Sequence, residues 1–210
     1  IGHLKFSSGD VFSVSGSHDF VLRRDVVPKY HVECDPRPHK TENIKRPNLE
    51  TEYLIASCCH PSLIDHLNAN QCNVTLWHVS PSSIRDDPKA VTSILDAAYP
   101  EQWHAIRGGC TMGLRWIDLG YFLGFRTFHL HGLDSSFRGG ATHAYPDRAD
   151  AKEHFEFKGR MTRPNFLAQV QDFFNVMDRF ALVDVGVTFK VFGDGLLQDE
   201  CKPYFAKKAG

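Results

Sequence analysis

Three carboxylates each close a run of residues with strand character: Asp35 after Tyr-His-Val-Glu-Cys, Asp134 after Thr-Phe-His-Leu-His-Gly-Leu, and Asp194 after Val-Thr-Phe-Lys-Val-Phe-Gly. Open α/β sheets bind ligands outside the carboxyl ends of their strands, so these acids are the first candidates for chemistry. Arg37, His39 and Lys40 follow Asp35 in a loop stiffened by Pro36 and Pro38, which hold φ and keep the segment out of a helix. That loop presents an acid, a guanidinium, an imidazole and an ammonium; it is either ligand-facing or a plain solvated turn. Gly108, Gly109, Cys110 and Thr111 form a glycine loop ahead of an apolar helix pattern. Glycine lets the backbone turn sharply and approach a ligand, and Thr111 reads as an N-cap with its hydroxyl turned back on the first free N–H groups. Unpaired amides and the positive end of the helix dipole suit a phosphate. Close packing is the competing reading, because the loop is neither GxGxxG nor GxxxxGK[ST].

Together these groups suggest transfer from a nucleotide. Donor phosphates would lie on the 108–111 loop, Arg37 or Lys40 would neutralise a second phosphate, and Asp134 would hold Mg²⁺ or a ribose hydroxyl. Transfer to an acceptor hydroxyl needs a base within hydrogen-bond reach. His143 is the first candidate and His39 the reserve, since imidazole titrates in the useful range. His129 and His131 alternate on one strand face and read as packed rather than metal-binding. Cys58, Cys59 and His60 invite a zinc reading, but adjacent residues cannot easily give three ligands to one tetrahedral ion.

These residues need strand ends and a helix start to position them. Strand patterns fall at residues 10–15, 30–35, 53–57, 74–79, 127–131, 155–159 and 187–192, and helix patterns at 19–24, 61–68, 88–99 and 164–177. Pro61 opens one helix at a first-turn position. Gly113 and Gly120 share a stripe with Trp116 and Ile117, a flat face that lets a helix lie close on a sheet, and Gly124 follows Leu123 as a natural C′ residue. Phe166, Val170, Phe173, Phe174 and Met177 recur at helical spacing and read as core. The alternation of strands and helices predicts an α/β fold with a mostly parallel sheet and helices on both faces. Convergence of Asp35, Asp134 and Asp194 on the glycine loop requires the strand order to reverse among them. The glycine-rich segment 135–146 is long for a turn and reads as a lid or binding loop.

Gly-Gly-Cys-Thr-Met-Gly-Leu-Arg, followed by Leu-Gly-Tyr-Phe-Leu-Gly-Phe-Arg-Thr-Phe-His-Leu-His-Gly-Leu-Asp-Ser-Ser-Phe, resembles the core of the MptE-like family. That family is named for an archaeal 6-hydroxymethylpterin diphosphokinase and is similar to the central domain of the motility-associated (Maf) flagellin glycosyltransferases. Bacterial sialyltransferases with a Rossmann-like fold carry a related pattern. The resemblance spans roughly residues 26–200 and is most specific over 108–134. It implies a Rossmann-like fold and a nucleotide-dependent transferase: Mg²⁺-dependent pyrophosphoryl transfer from ATP to a hydroxymethyl group, or glycosyl transfer from a nucleotide sugar to a small-molecule or glycan acceptor. A non-catalytic nucleotide- or partner-binding module is the third expectation. The similar sialyltransferases place a working histidine after the Gly-x-Asp strand, where His143 stands. Asp35 matches the second of two family aspartates, while Lys29 replaces the first. The family's upstream Gly-x-Gly-Pro-Ser motif is absent, and Cys59-His60-Pro61-Ser62-Leu63 is the nearest approach to it.

The 210 residues suffice for a single domain spanning 1–210, with a substantial core. The chain starts at Ile1 and could be a fragment of a longer protein; Ile-Gly-His-Leu-Lys does not read as a signal peptide. A formal net charge of −1 offers no case for a nucleic-acid or membrane-surface partner. No apolar run is long enough to span a membrane. Six cysteines without CxxC spacing are expected to be reduced and mostly buried, which fits the cytoplasm.

Overall fold

The computed structural model describes residues 9–80, 91–100, 105–137, 154–184 and 186–208. The chain divides into two compact units, Ile1–Arg107 and Gly108–Gly210. The architecture is α/β, with a parallel sheet flanked by helices.

In the first unit the elements run β1 (Phe12–Val14), α1 (His18–Leu22), β2 (Tyr30–Glu33), β3 (Glu52–Ala56), α2 (Pro61–Ala69), β4 (Asn73–Val79), α3 (Val91–Ala98) and β5 (Ala105–Ile106). All pairs are parallel, and the strands lie side by side in chain order, β1-β2-β3-β4-β5. The order does not reverse among these strands, so they contain no topological switch point of the kind the sequence reading invokes. Tyr53, Leu54, Ile55 and Ala56 are buried in succession. That is the pattern of a parallel strand covered on both faces. Leu63 and Leu67, four apart on α2, are also buried.

A polar row crosses this core. Ser13, His31 and Tyr53 are directly in register on β1, β2 and β3. His31 Nδ1 lies 2.9 Å from Ser13 Oγ. His18 bridges Asp19 (2.8 Å) and the Tyr53 hydroxyl (2.9 Å), which also accepts the Asn48 N–H at 2.8 Å. The Lys45 N–H donates to the other Asp19 oxygen. Both histidines are fully buried, with ring centroids 4.9 Å apart. Burial lowers the His18 pKa against the opposing pull of Asp19, and drives that of His31 well below the usual imidazole value.

The second unit runs α4 (Met112–Phe122), β6 (Thr127–His131), β7 (Phe155–Phe157), β8 (Arg160–Thr162), α5 (Pro164–Val183), β9 (Thr188–Phe192) and α6 (Leu196–Lys208). β6 and β9 pair in parallel, and β7 and β8 form an antiparallel hairpin. Lys158 and Gly159 turn that hairpin, both at positive φ, as a type I′ connection requires. The core gathers Leu114, Ile117, Phe128, Phe173, Phe180 and Leu197. Of the predicted α5 stripe, Val170, Phe173 and Met177 are buried and Phe166 and Phe174 half-buried, as expected of core. A Cβ on Gly120 would touch Phe128 at 3.0 Å, and one on Gly113 would meet Leu133 at 2.5 Å. The small-residue stripe therefore does bring α4 against β6 and the residues that follow it. α4 ends in a Schellman motif: Phe125 N–H donates to Gly120 O and Gly124 N–H to Tyr121 O, with Gly124 at φ +99°. Gly124→Ala is expected to cost about 1 kcal/mol through this backbone strain alone, since an added Cβ meets open space. Urea titration of the variant checks it.

Among the described residues, no helix is long and apolar enough to cross a membrane.

Candidate functional site

β1 and β2 end side by side, and their loops gather the chemically active groups of the first unit. β1 leads into Ser15–Ser17, a single helical turn in which Ser15 holds the left-handed φ of +47°. β2 ends at Glu33 and continues through Cys34 and Asp35 into the turn Pro38–Asn43. Asp35 is the hub. Arg37 grips both of its oxygens through Nε (2.8 and 3.0 Å) and through Nη2, while Lys40 Nζ donates to Oδ2 at 3.0 Å. Lys40 also donates to Ser15 Oγ at 3.1 Å and faces Glu33 Oε2 at 3.8 Å. The Arg37 guanidinium, with Lys40 assisting, holds the Asp35 carboxyl far below the usual carboxylate range.

Glu33 is built differently from Asp35. It is 1 % exposed, and its Oε1 accepts the Cys34 and Asp35 N–H groups at 3.0 and 3.2 Å. Burial pushes its pKa up while Lys40 and the two amides pull it down. Its Oε2 has no hydrogen-bond partner among the described residues. Arg37 extends into solvent, whereas Lys40 is 8 % exposed. His39 lies half-buried on the same turn. At the carboxyl edge of the sheet the arrangement therefore exposes one guanidinium, backed by an ammonium buried between two carboxylates and a hydroxyl.

The 108–111 loop does something else. Thr111 is the N-cap by backbone conformation, but its hydroxyl makes no capping bond and is buried without a partner among the described residues. Asp172 on α5 holds the amide just ahead of the cap, its Oδ2 accepting the Cys110 N–H at 2.5 Å. A carboxylate thus sits on an amide that the sequence reading offers to a phosphate, and an anion there would meet its charge. Gly108, at φ +145°, lies against the Arg115 backbone, and Gly109 against Leu114 and Asp172, so both glycines serve close approach. Burial and the Asp172 charge push the Cys110 thiol up to about 11.

Asp134 closes the junction between β6 and α6. Its main-chain oxygen accepts the Leu197 N–H at 3.1 Å, and Ser136 Oγ accepts the Leu196 N–H at 3.2 Å. Gly193 and Gly195 are pressed against it. Asp134 and Asp194 do follow adjacent parallel strands, but the Asp194 carboxylate turns to Arg160 at 2.7 Å. Asp134 Oδ1 is shielded from solvent, and among the described residues no group of three His, Cys, Asp or Glu could hold a metal. His143 lies outside the described residues.

The remaining candidates have structural occupations. His131 stacks flat on Phe192, with centroids 4.5 Å apart and planes 4° apart, and His129 meets the same ring edge-on. His60 is the N-cap of α2, its Nδ1 accepting the Ser62 N–H. Cys58 Sγ donates to Cys34 O at 3.3 Å. All six cysteines are free thiols; Cys59, Cys72 and Cys201 are buried, Cys34 half-buried, and Cys58 and Cys110 exposed. Sequence reasoning missed Ser15 and Glu33 as members of the cluster. Ser15 had one usable signal, a Ser-Gly-Ser turn directly after a strand. Compared with known proteins, the chain matches no family model, no curated protein and no solved structure.

Proposed function

We propose that this chain is a nucleotide-dependent transferase on a Rossmann-like fold with helices on both sheet faces. It would act as 6-hydroxymethylpterin diphosphokinases do, moving a pyrophosphoryl group from ATP to a hydroxymethyl acceptor. The observation that carries this reading is the cluster in which Asp35 holds Arg37 and Lys40 beside Ser15 at the ends of two parallel strands. Charge-assisted hydrogen bonds to phosphate are strong, and the exposed part of the Arg37 guanidinium that Asp35 leaves open could make them. In this reading the donor phosphates belong at Arg37, whose carboxylate partner is held by Lys40, and the 108–111 loop is a packed helix entry. His39, on the same turn as Lys40, is the candidate base among the described residues.

Thermal denaturation with ATP, CTP, CMP and sugar nucleotides, each with and without Mg²⁺, tests the reading. ATP at a hundredfold excess over its Kd should stabilise the protein by about 2.7 kcal/mol. Arg37→Ala should weaken ATP binding roughly tenfold to a hundredfold, the value of a lost charged hydrogen bond. Stabilisation by cytidine or uridine nucleotides alone replaces pyrophosphoryl with glycosyl transfer. No response to any nucleotide overturns the transferase reading.

A further inference from the structure

We propose that Cys58 and Cys34 are a redox pair: a peroxide oxidises Cys58, and Cys34 closes a disulfide onto it. The fold brings three thiols to one end of the sheet. Cys34 stands one residue beyond Glu33, which lies opposite Ile55 in the pairing of β2 with β3. After β3 the chain turns at once, the Cys59 N–H donating to Ala56 O at 2.9 Å. Cys58 is thereby turned back onto β2, where its Sγ donates to the main-chain oxygen of Cys34 at 3.3 Å. That hydrogen bond rests the sulfur on the very residue it would bridge.

Exposure and covalent geometry assign the roles. Cys58 is exposed, Cys34 half-buried and Cys59 buried, and oxidation selects the thiols a solute can reach. Cys58 and Cys59 are poor partners for each other. A trans peptide holds adjacent Cα atoms about 3.8 Å apart, closer than the roughly 4.4 to 6.8 Å that a disulfide spans. A hydrogen bond with Cys58, together with burial, also holds the Cys59 thiol far above its ordinary pKa, in the unreactive protonated form. Cys110, the other exposed thiol, is pushed up to about 11 by burial and the Asp172 charge.

The Cys58 thiolate attacks one oxygen of hydrogen peroxide and the O–O bond breaks. Cys58 becomes a sulfenic acid, and the second oxygen leaves as hydroxide. The Cys34 thiolate then attacks the Cys58 sulfur, the S–O bond breaks, and hydroxide leaves again. Each hydroxide takes up one of the thiol protons, so two thiols and one peroxide give one disulfide and two waters. A dithiol reverses the change by exchange. The bridge closes residues 34–58 into a covalent loop that carries Asp35, Arg37 and Lys40. It needs no nucleotide, so it stands apart from the proposed function.

Tryptic peptide mapping after hydrogen peroxide treatment, with the remaining thiols alkylated, tests the pair. In the folded wild type the Cys34–Cys58 bridge should exceed any other cystine at least about tenfold, and dithiothreitol should abolish it. In concentrated urea the same treatment should lose that preference. Cys59→Ser should still form the bridge, whereas Cys34→Ser should leave Cys58 as a sulfenic acid that dimedone traps. Folded wild type without the bridge, with a Cys58–Cys59 bridge in its place, or with the same yield in urea overturns the inference. Those wild-type results decide the matter even if a variant fails to fold.

Discussion

Stability of the first unit is expected to fall as the pH drops below about 6.5, where the imidazoles of the unfolded chain begin to charge. The cause is the pair of buried histidines. In the folded chain both imidazoles titrate below their ordinary value of 6.5, chiefly because burial excludes water. Above that value folded and unfolded chains are both neutral at these sites, and the contribution is complete. Below it the unfolded chain takes up protons that the folded chain refuses, so stability is lost as the pH falls through the folded values. His31 is the worse host for a proton. Its Nε2 is buried without a partner among the described residues, the His18 ring meets it edge-on, and the Lys40 charge opposes it. Glu33 works the other way. Its raised pKa stabilises the fold below the ordinary carboxyl value of 4.5 and is lost as the pH climbs through the folded value. Urea titrations at successive pH values measure the slope, and His31→Gln should make it clearly shallower. A flat profile between pH 7.5 and 5.5 would show that these rings exchange protons with solvent.

The largest mutational loss is expected at Gly195. A Cβ there would lie 2.5 to 2.8 Å from the main-chain oxygen, Cα and Cβ of Asp134. Backbone cannot give way as a flexible side chain does, so overpacking should reach the upper end of its usual range, about 3 kcal/mol or more. That would lower the melting temperature of the second unit by roughly 10 °C or more. The Leu197 N–H bond to Asp134 and the start of α6 would move with it. Scanning calorimetry of Gly195→Ala beside Gly124→Ala, which adds its methyl to open space, separates crowding from backbone preference. Equal losses in the two variants would remove the claim that Asp134 is clamped by Gly195.

Where the sequence could be read directly, local chemistry decided the outcome. Thr127–His131 was fixed by its flanking glycines, the end of α4 by Gly124, and the α4 stripe by Gly113 and Gly120. Each depends on neighbours within a few residues. Thr111 shows the limit. Its type and position announced a capping hydroxyl, yet that hydroxyl caps nothing, and the Cys110 N–H beside it is held by Asp172, sixty-two residues further along. The cluster around Asp35 was half legible for the same reason. Arg37, His39 and Lys40 stand beside it in the chain, whereas Ser15 joins only because β1 and β2 pair. The polar row needed the register itself: Ser13, His31 and Tyr53 carry no shared local signal and meet only once three strands align. β8 and α6 escaped notice because Arg160–Thr162 is too short to show alternation and Leu196–Lys208 carries Pro203 inside it.

The chain-order layout of β1 to β5 bears on how the first unit is born. Each strand finds its partner immediately upstream, so every pairing closes the shortest loop this topology permits. A nascent chain emerging from the ribosome can add strands one at a time onto an edge already made, without waiting for distant sequence. Assembly of this unit should therefore favour its amino end, with Ser13 and His31 free to pair before Tyr53 joins them.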